Sequence, residues 1–355
     1  MNILSMIFGI FALAGALDRI TGNHLKLGDE FEKGIHSMGP LAVAMVGMIT
    51  IAPALASVLI KVCEPISRLF GIDPSFVGGF VANDMGGASI AYELSPTLWR
   101  RFHGLVVASM MGVTICFTIP VALKIVEKTY HKDMLSGILC GVATIPIGCI
   151  VGGIAMRLSI LEILLNLIPV IMVAVLTCLG LIFSPDLCRK VFQLIGQGVL
   201  ILVTIGLGAG IFTHLTGIVL IPGMAPVMDG FSVVAEIAVI LAGVFPLITV
   251  VSRLFKKPFG WIGKKMGMND ASVLGMISAL ANSIPTFSMV KEMNSRGIVV
   301  NLAFATSASF VLGDHLAFTM AFDGADVLPM MVGKLAGGIC AVLLAMFLSR
   351  FTEKN

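Results

Sequence analysis

Charge is scarce in this chain. Only 12% of its 355 residues are Asp, Glu, Lys or Arg, against about a quarter in a soluble domain. That is too little to cover a water-facing surface. The net charge of +3 is small and spread along the chain, which excludes a nucleic-acid binder with its clustered basic face. No Cys-x-x-Cys spacing links the seven cysteines, Cys63, Cys116, Cys140, Cys149, Cys178, Cys188 and Cys340, and most fall in apolar runs. A disulfide frame or zinc site is excluded on that pattern, and the thiols read as small buried hydrophobes. No metal or other cofactor is expected. What is present is apolar: 57% of the residues are hydrophobic and the mean hydropathy is +1.03. The 39 Gly and 15 Pro suit membrane helices, where both are commoner than in soluble ones. The composition is that of an all-α polytopic membrane protein.

A helix needs about 20 apolar residues to cross roughly 30 Å of hydrocarbon. Such runs cover 38–60, 102–123, 134–156, 162–183, 191–213, 229–251, 297–318 and 329–350. A shorter one, Asn2 to Leu17, opens the chain; no Lys or Arg precedes it, so it reads as a span and not as a signal peptide. Two further stretches, 73–95 and 270–293, are long enough to span but carry Asn83-Asp84-Met85-Gly86-Gly87 and Asn282-Ser283-Ile284-Pro285-Thr286 at their centres. Such groups unwind a helix, and bare backbone at membrane depth is tolerated only beside protein or a wet cavity. Each stretch is therefore a broken spanning helix or a re-entrant hairpin.

The positive-inside rule separates the two. If both stretches cross, Lys and Arg divide 12 against 10 between the faces. If both turn back, one face collects 17 and the other keeps Lys61, Arg68, Arg100, Arg101 and Arg157. The expectation is about nine spans and two opposed hairpins, with the N-terminus outside and the C-terminus cytoplasmic.

An internal echo fits that plan. Asp73-Pro74-Ser75, Gly78 and Ala82-Asn83 match Asp270-Ala271-Ser272, Gly275 and Ala281-Asn282; Gly104–Val107 matches Gly297–Val300, and Gly152-Gly153-Ile154 matches Gly337-Gly338-Ile339. The expected division is a first repeat at 1–156, a linking span at 157–190 and a second, inverted repeat at 191–355. Inverted repeats with discontinuous helices mark secondary transporters.

Nearly all charge lies in loops, so Asp84, Glu236, Asp314, His315 and Lys334 stand out within or at the ends of apolar runs. An ionised group at the bilayer centre costs about 2.5–3.5 kcal/mol on insertion scales and needs a partner or a wet cavity. Asp and Asn can simply satisfy unwound backbone, and Glu236 and Lys334, without polar company, read first as structural; Lys334 is alternatively a fixed counter-ion. The functional reading takes the hairpin tips Asn83, Asp84, Asn282 and Ser283 together with Asp314 and His315 as a substrate site. Carboxylates favour an ammonium group, while amides and hydroxyls can hold a hydroxyl. No arginine clamp for an anion is visible in the interior. A sodium site at the tips, a proton site at Asp314 with His315 and uncoupled facilitation all remain open.

Certain strings resemble a known family. Asp18-Arg19-Ile20-Thr21-Gly22-Asn23, Leu27-Gly28 with Phe31-Glu32, Met38-Gly39-Pro40-Leu41-Ala42, Ala82–Gly87, Ala281-Asn282-Ser283-Ile284-Pro285 and Phe310–Phe318 are similar to the ethanolamine permease family of ethanolamine-utilisation operons. The resemblance runs nearly end to end. It implies uptake of ethanolamine across a bacterial inner membrane; it assigns no substrate contacts.

Other classes fit less well. Val311-Leu312-Gly313-Asp314 lacks the first Gly of an intramembrane aspartyl protease motif. His24 and Asp29 have acyltransferase spacing but lie in the charged stretch 19–36, which reads as a solvated amphipathic segment. A channel is the stronger rival, and a sensor would be expected to carry a soluble output domain. Gly148-x3-Gly152 and Gly333-x3-Gly337 can pack either two protomers or two helices of one chain, so a homo-oligomer stays open.

Overall fold

A computed structural model describes residues 3–81 and 85–352, which among them form helices and no strand. Helices α1 (Ile3–Ile20), α2 (Leu27–His36) and α3 (Met38–Phe70) lead to the first broken stretch. That stretch holds a 3₁₀ turn at Pro74–Gly79 and helix α4 (Gly87–Leu94). Next come α5 (Trp99–Ile125), α6 (His131–Ala155), α7 (Ile160–Asn166), α8 (Ile168–Phe183), α9 (Pro185–Thr216) and α10 (Val227–Lys265). The second broken stretch is α11 (Asp270–Ala281) and α12 (Ser283–Ser288), followed by α13 (Ser295–Ala308), α14 (Asp314–Asp323) and α15 (Val327–Thr352).

Seven helical stretches among the described residues are long and apolar enough to cross a bilayer, or eight if α7 and α8, bent by 49°, form one span. Pro169 in the first turn of α8 explains that bend, because it lacks an N–H and crowds the preceding turn. α5 is buried and largely π-helical over Phe102–Gly112 and Thr114–Thr118, a widened winding often found at functional sites.

Two expectations need correction. The run 297–318 is not one helix: it ends at Ala308, unwinds over 309–313 and restarts as α14. The stretch 19–36 is not merely a solvated segment. Asp18 accepts N–H bonds from Leu25, Leu27 and Gly28 (2.9, 2.8 and 3.2 Å), and Gly34 of α2 sits so close to Leu241 and Ala242 of α10 that a Cβ would meet backbone at 2.4 Å. Only its outer face carries exposed ion pairs, Arg19–Glu32 and Lys33–Glu30.

Both broken stretches turn back on themselves. Asp73 Oδ2 accepts hydrogen bonds from the hydroxyls of Ser95 and Thr97 at 2.8 and 2.7 Å, so the first stretch begins and ends together. In the second, Asn269 Nδ2 donates to the Glu292 carbonyl (2.8 Å), and Asn294 Nδ2 donates to the Gly267 carbonyl (2.8 Å). The two mouths lie at opposite ends of the molecule. Asp73 N–H bonds to Asn166 Oδ1 (2.9 Å), just beyond the α6 C-terminus. α13, by contrast, starts at the other end of α6, with Gly137 against Val299 and Gly141 against Thr306.

α15 runs antiparallel to α6. Thr144 Oγ1 donates to the Gly337 carbonyl (3.1 Å), and Gly148 and Gly152 meet Gly333 with no room for side chains between them. The paired glycines thus make an internal helix crossing within this chain. Because Ala308 packs on Gly338, α14 and α15 must be opposed legs of a turn at 323–326. Arg101 closes that turn onto the first hairpin's exit: its Nε and Nη2 donate to Asp326 at 2.6 and 2.9 Å.

These directions place segments 252–268 and 319–328 at opposite ends. Single cysteines at Gly260 and Gly324, in an otherwise Cys-free protein, are therefore expected to react with a membrane-impermeant maleimide from opposite faces. Labelling of both from one face would overturn this topology.

Candidate functional site

The unwound segment 309–313 docks on the second hairpin. Phe310 adopts φ 64°, unusual for a bulky residue. Its N–H donates to the Ala279 carbonyl at 3.0 Å, and the Leu312 N–H to the Leu280 carbonyl at 2.8 Å. The chain passes so near the tip that a Cβ on Gly313 would lie 2.0 Å from the Ala281 oxygen. Unwinding one helix and turning another expose backbone groups, and here each break satisfies part of the other.

Four of the six sequence-expected residues fall on this junction. Asn282 is extended between α11 and α12, and its Oδ1 caps α12 by accepting the Ile284 N–H at 2.8 Å. Ser283 is wholly buried, and its Oγ has no protein hydrogen-bond partner among the described residues. Asp314 opens α14, half-buried, in the first turn of the helix. His315 is wholly buried, its ring tilted 31° over Phe310 at 5.0 Å. Phe117 of α5 meets Phe310 edge to face at 5.6 Å.

Asn83 and Asp84 lie outside the described residues. The chain on either side of them is fixed near the same centre. Phe80 O accepts from Cys116 Sγ (3.5 Å), beside Phe117. Met85, with φ 73°, packs in one apolar cluster with Leu316, Ala317 and Phe318 of α14.

Several polar groups escaped the sequence reading. Ser89 on α4, Thr118 on α5 and Thr319, one turn beyond His315, have buried hydroxyls with no protein partner among the described residues, as does Ser309 of the polar row Asn301, Thr306, Ser307 and Ser309 that the sequence itself shows ahead of Asp314. Buried polar groups are normally paired by protein or water, so these hydroxyls are available to water or a polar solute. Nothing in composition distinguishes them from Ser and Thr that bond back to their own helix, as Thr306 does to Leu302. Lys334 is wholly buried, and its Nζ donates to the Ser109 carbonyl. Glu236 is exposed on α10 and takes no part.

The mouth of the first hairpin is a second polar cluster. Asp73 Oδ1 accepts from Ser75 N–H (3.0 Å) and Oγ–H (2.5 Å), and Ser75 Oγ lies 2.8 Å from His103 Nδ1. Burial alone would raise the Asp73 carboxyl; hydrogen bonds from Ser75, Thr97 and Ser95 outweigh it and hold the group below the usual carboxylate range. Asp-Pro-Ser at a helix start is a legible cap, but its reach to His103 is tertiary.

The second mouth is held by Asn294, whose Oδ1 also accepts from the N–H of Gly297 (3.2 Å) and Asn269 (3.4 Å). Asn294→Ala removes these together. It is expected to lower stability by about 1–3 kcal/mol, read as an earlier thermal unfolding midpoint in detergent; an unchanged midpoint would show that the lock carries no weight.

Among the described residues no group of three or more His, Cys, Asp or Glu is placed to hold a metal. The family model described as ethanolamine utilisation protein, EutH, matches residues 1–348. A relative from Listeria monocytogenes, named probable ethanolamine permease EutH, is 48% identical over 100% of this chain and 96% of its own. One of the same name from Escherichia coli K12 is 41% identical over 98% of this chain and 95% of its own. An uncharacterised Bacillus subtilis protein, YxeR, is 39% identical over 97% and 93%. No solved structure matches the chain. With a family match over nearly its whole length, this multi-pass membrane chain belongs to the EutH family of ethanolamine utilisation proteins.

Proposed function

We propose that the protein is a permease that takes up ethanolamine, as a small organic cation, across the bacterial inner membrane, and that it is not an enzyme. The observation that carries this reading is the docking of the 309–313 break on the second hairpin tip. It joins a carboxylate, a histidine and hydroxyls that have no partner among the described residues, inside an apolar bundle. The names of the full-length relatives support the choice of substrate. In this reading Asp314 and Asp84 hold the ammonium, Asn282, Ser283 and Asn83 hold the hydroxyl, and His315 lines the site. The chain lies with its N-terminus outside and its C-terminus cytoplasmic, following the 17-to-5 division of basic residues. Nine passes are proposed, α7 with α8 and α13 with α14 each counting as one. Repeats at 1–156 and 191–355 are related by inversion about the link 157–190. Hairpins at opposite ends and the antiparallel α6–α15 crossing support that symmetry.

Ethanolamine has four non-hydrogen atoms. At a ceiling of about −1.5 kcal/mol per atom, its binding is limited to roughly −6 kcal/mol, a Kd of about tens of micromolar. Both ends must be held to approach that value. Ethylamine leaves a buried polar group unpaired, at about 1–3 kcal/mol, so it is expected to compete about 5- to 150-fold more weakly. Choline offers no N–H and needs room for three methyl groups, so it is expected to compete least. The test is competition against labelled ethanolamine uptake into proteoliposomes. Choline competing as well as ethanolamine would mean an open cation cavity and no two-ended clamp.

A further inference from the structure

We propose that His103, linked through Ser75 to Asp73, binds a proton that is co-transported with the substrate. The inference rests on the permease reading and names its coupling ion.

Ser75 Oγ has one hydrogen and two close neighbours, Asp73 Oδ1 at 2.5 Å and His103 Nδ1 at 2.8 Å. With Asp73 ionised, the hydroxyl hydrogen goes to the carboxylate, and Ser75 accepts an N–H from Nδ1. The other ring nitrogen, Nε2, faces the Asn166 carbonyl oxygen at 3.4 Å. A neutral ring with its hydrogen on Nδ1 turns a lone pair toward that oxygen. One added proton on Nε2 converts two facing acceptors into a donor and an acceptor. The resulting imidazolium has the Asp73 carboxylate one hydroxyl away as its countercharge.

The surroundings make this proton specific. The ring is wholly buried and forms an aromatic trio with Phe102 at 5.3 Å and Trp99 at 6.0 Å. Among the described residues, Asp73 is the charged group linked to it, through the Ser75 hydroxyl. On α5, Arg101 turns to Asp323 and Asp326, and Arg100 lies over Tyr92. On α7, Glu162 is exposed, and Asn166 holds Asp73 N–H with its side chain.

Three elements meet in the relay: the first hairpin gives Asp73 and Ser75, α5 gives His103 and α7 gives Asn166. A proton on Nε2 therefore ties the hairpin to the two helices, and its loss loosens them. A ligand that binds one arrangement better shifts the population toward it, and the hairpin so biased leads to the substrate site. The chemistry is reversible: a proton adds to the Nε2 lone pair in one arrangement of the hairpin and leaves it in the other, with no covalent bond but that N–H made or broken.

The test uses the purified full-length protein in proteoliposomes, with membrane potential clamped at zero. Steady accumulation of labelled ethanolamine is compared with and without an inward one-unit pH gradient, while luminal pH is followed. One proton per substrate predicts accumulation rising up to about tenfold, because one pH unit is about 1.36 kcal/mol, with the lumen acidifying as ethanolamine enters. His103→Gln removes the titration and is expected to bring that ratio to about one and abolish the acidification. A His103→Gln protein that keeps both responses overturns the proposal. Should that variant take up nothing, Ser75→Ala decides: it breaks the relay while keeping both end groups, and an undiminished ratio overturns the proposal. A wild-type protein that moves ethanolamine saturably but ignores the pH gradient overturns the coupling alone. One that moves no ethanolamine overturns the permease reading with it.

Discussion

Asp314→Asn lowers ethanolamine uptake by about 150-fold or more while the protein reaches the membrane in normal amount. The carboxylate sits at the first turn of α14, next to the segment docked on the second hairpin. There the low dielectric of the surrounding bundle strengthens pairing with an ammonium. Truncating one partner of a buried charge pair costs about 2–5 kcal/mol; at about 3 kcal/mol, the loss is roughly 150-fold. Asn keeps the volume and the acceptor oxygen, so folding is little disturbed. Initial uptake rates normalised to membrane-inserted protein measure the effect. Normal transport by Asp314→Asn would make the carboxylate a structural cap and remove it from the site.

Gly313→Ala is expected to reduce uptake about 100-fold, although it adds a single uncharged methyl group. Its Cβ would lie 2.0 Å from the Ala281 oxygen, well inside van der Waals contact, and both sides of that contact are backbone. The docked segment and the hairpin tip must separate by more than an ångström. That breaks the Phe310–Ala279 and Leu312–Leu280 bonds and shifts Asp314 relative to the hairpin tip. A displacement of about 1 Å in a positioned site can cost about 100-fold. Gly39→Ala is the matched control: nothing lies within 4 Å of its would-be Cβ, and uptake is expected to stay at the wild-type rate. Equal rates for both variants would show that the junction does not position the site.

Hydropathy made most of the bundle legible, because each long apolar run has to be helical to satisfy its backbone in lipid. Charge made the hairpins legible: Lys and Arg distribute sensibly between two faces only if 73–95 and 270–293 turn back. The break at 309–313 was hidden, since Phe310, Val311 and Leu312 look like ordinary span residues. Its cause is tertiary, in carbonyls that Ala279 and Leu280 supply from another element. The bend at Leu167 was readable from Pro169, but a single proline in an apolar run also occurs in unbroken helices, as Pro146 does in α6. Among the candidate residues, Asn282, Ser283, Asp314 and His315 stood out because polar groups are costly inside a membrane. His103 did not, because its role depends on Ser75, 28 positions away. Likewise, spacing cannot say whether Gly148 and Gly333 face each other or a second chain; only the crossing of α6 with α15 does.

Counterflow of labelled ethanolamine into proteoliposomes preloaded with unlabelled ethanolamine tests the central claim most directly. A carrier that exposes its site alternately to the two faces exchanges label for unlabelled substrate without any imposed gradient. The account predicts transient accumulation of label above equilibrium, saturating with external ethanolamine at about tens of micromolar or above, and its loss in Asp314→Asn. Flux that rises linearly without counterflow, or no flux above protein-free liposomes, would contradict it.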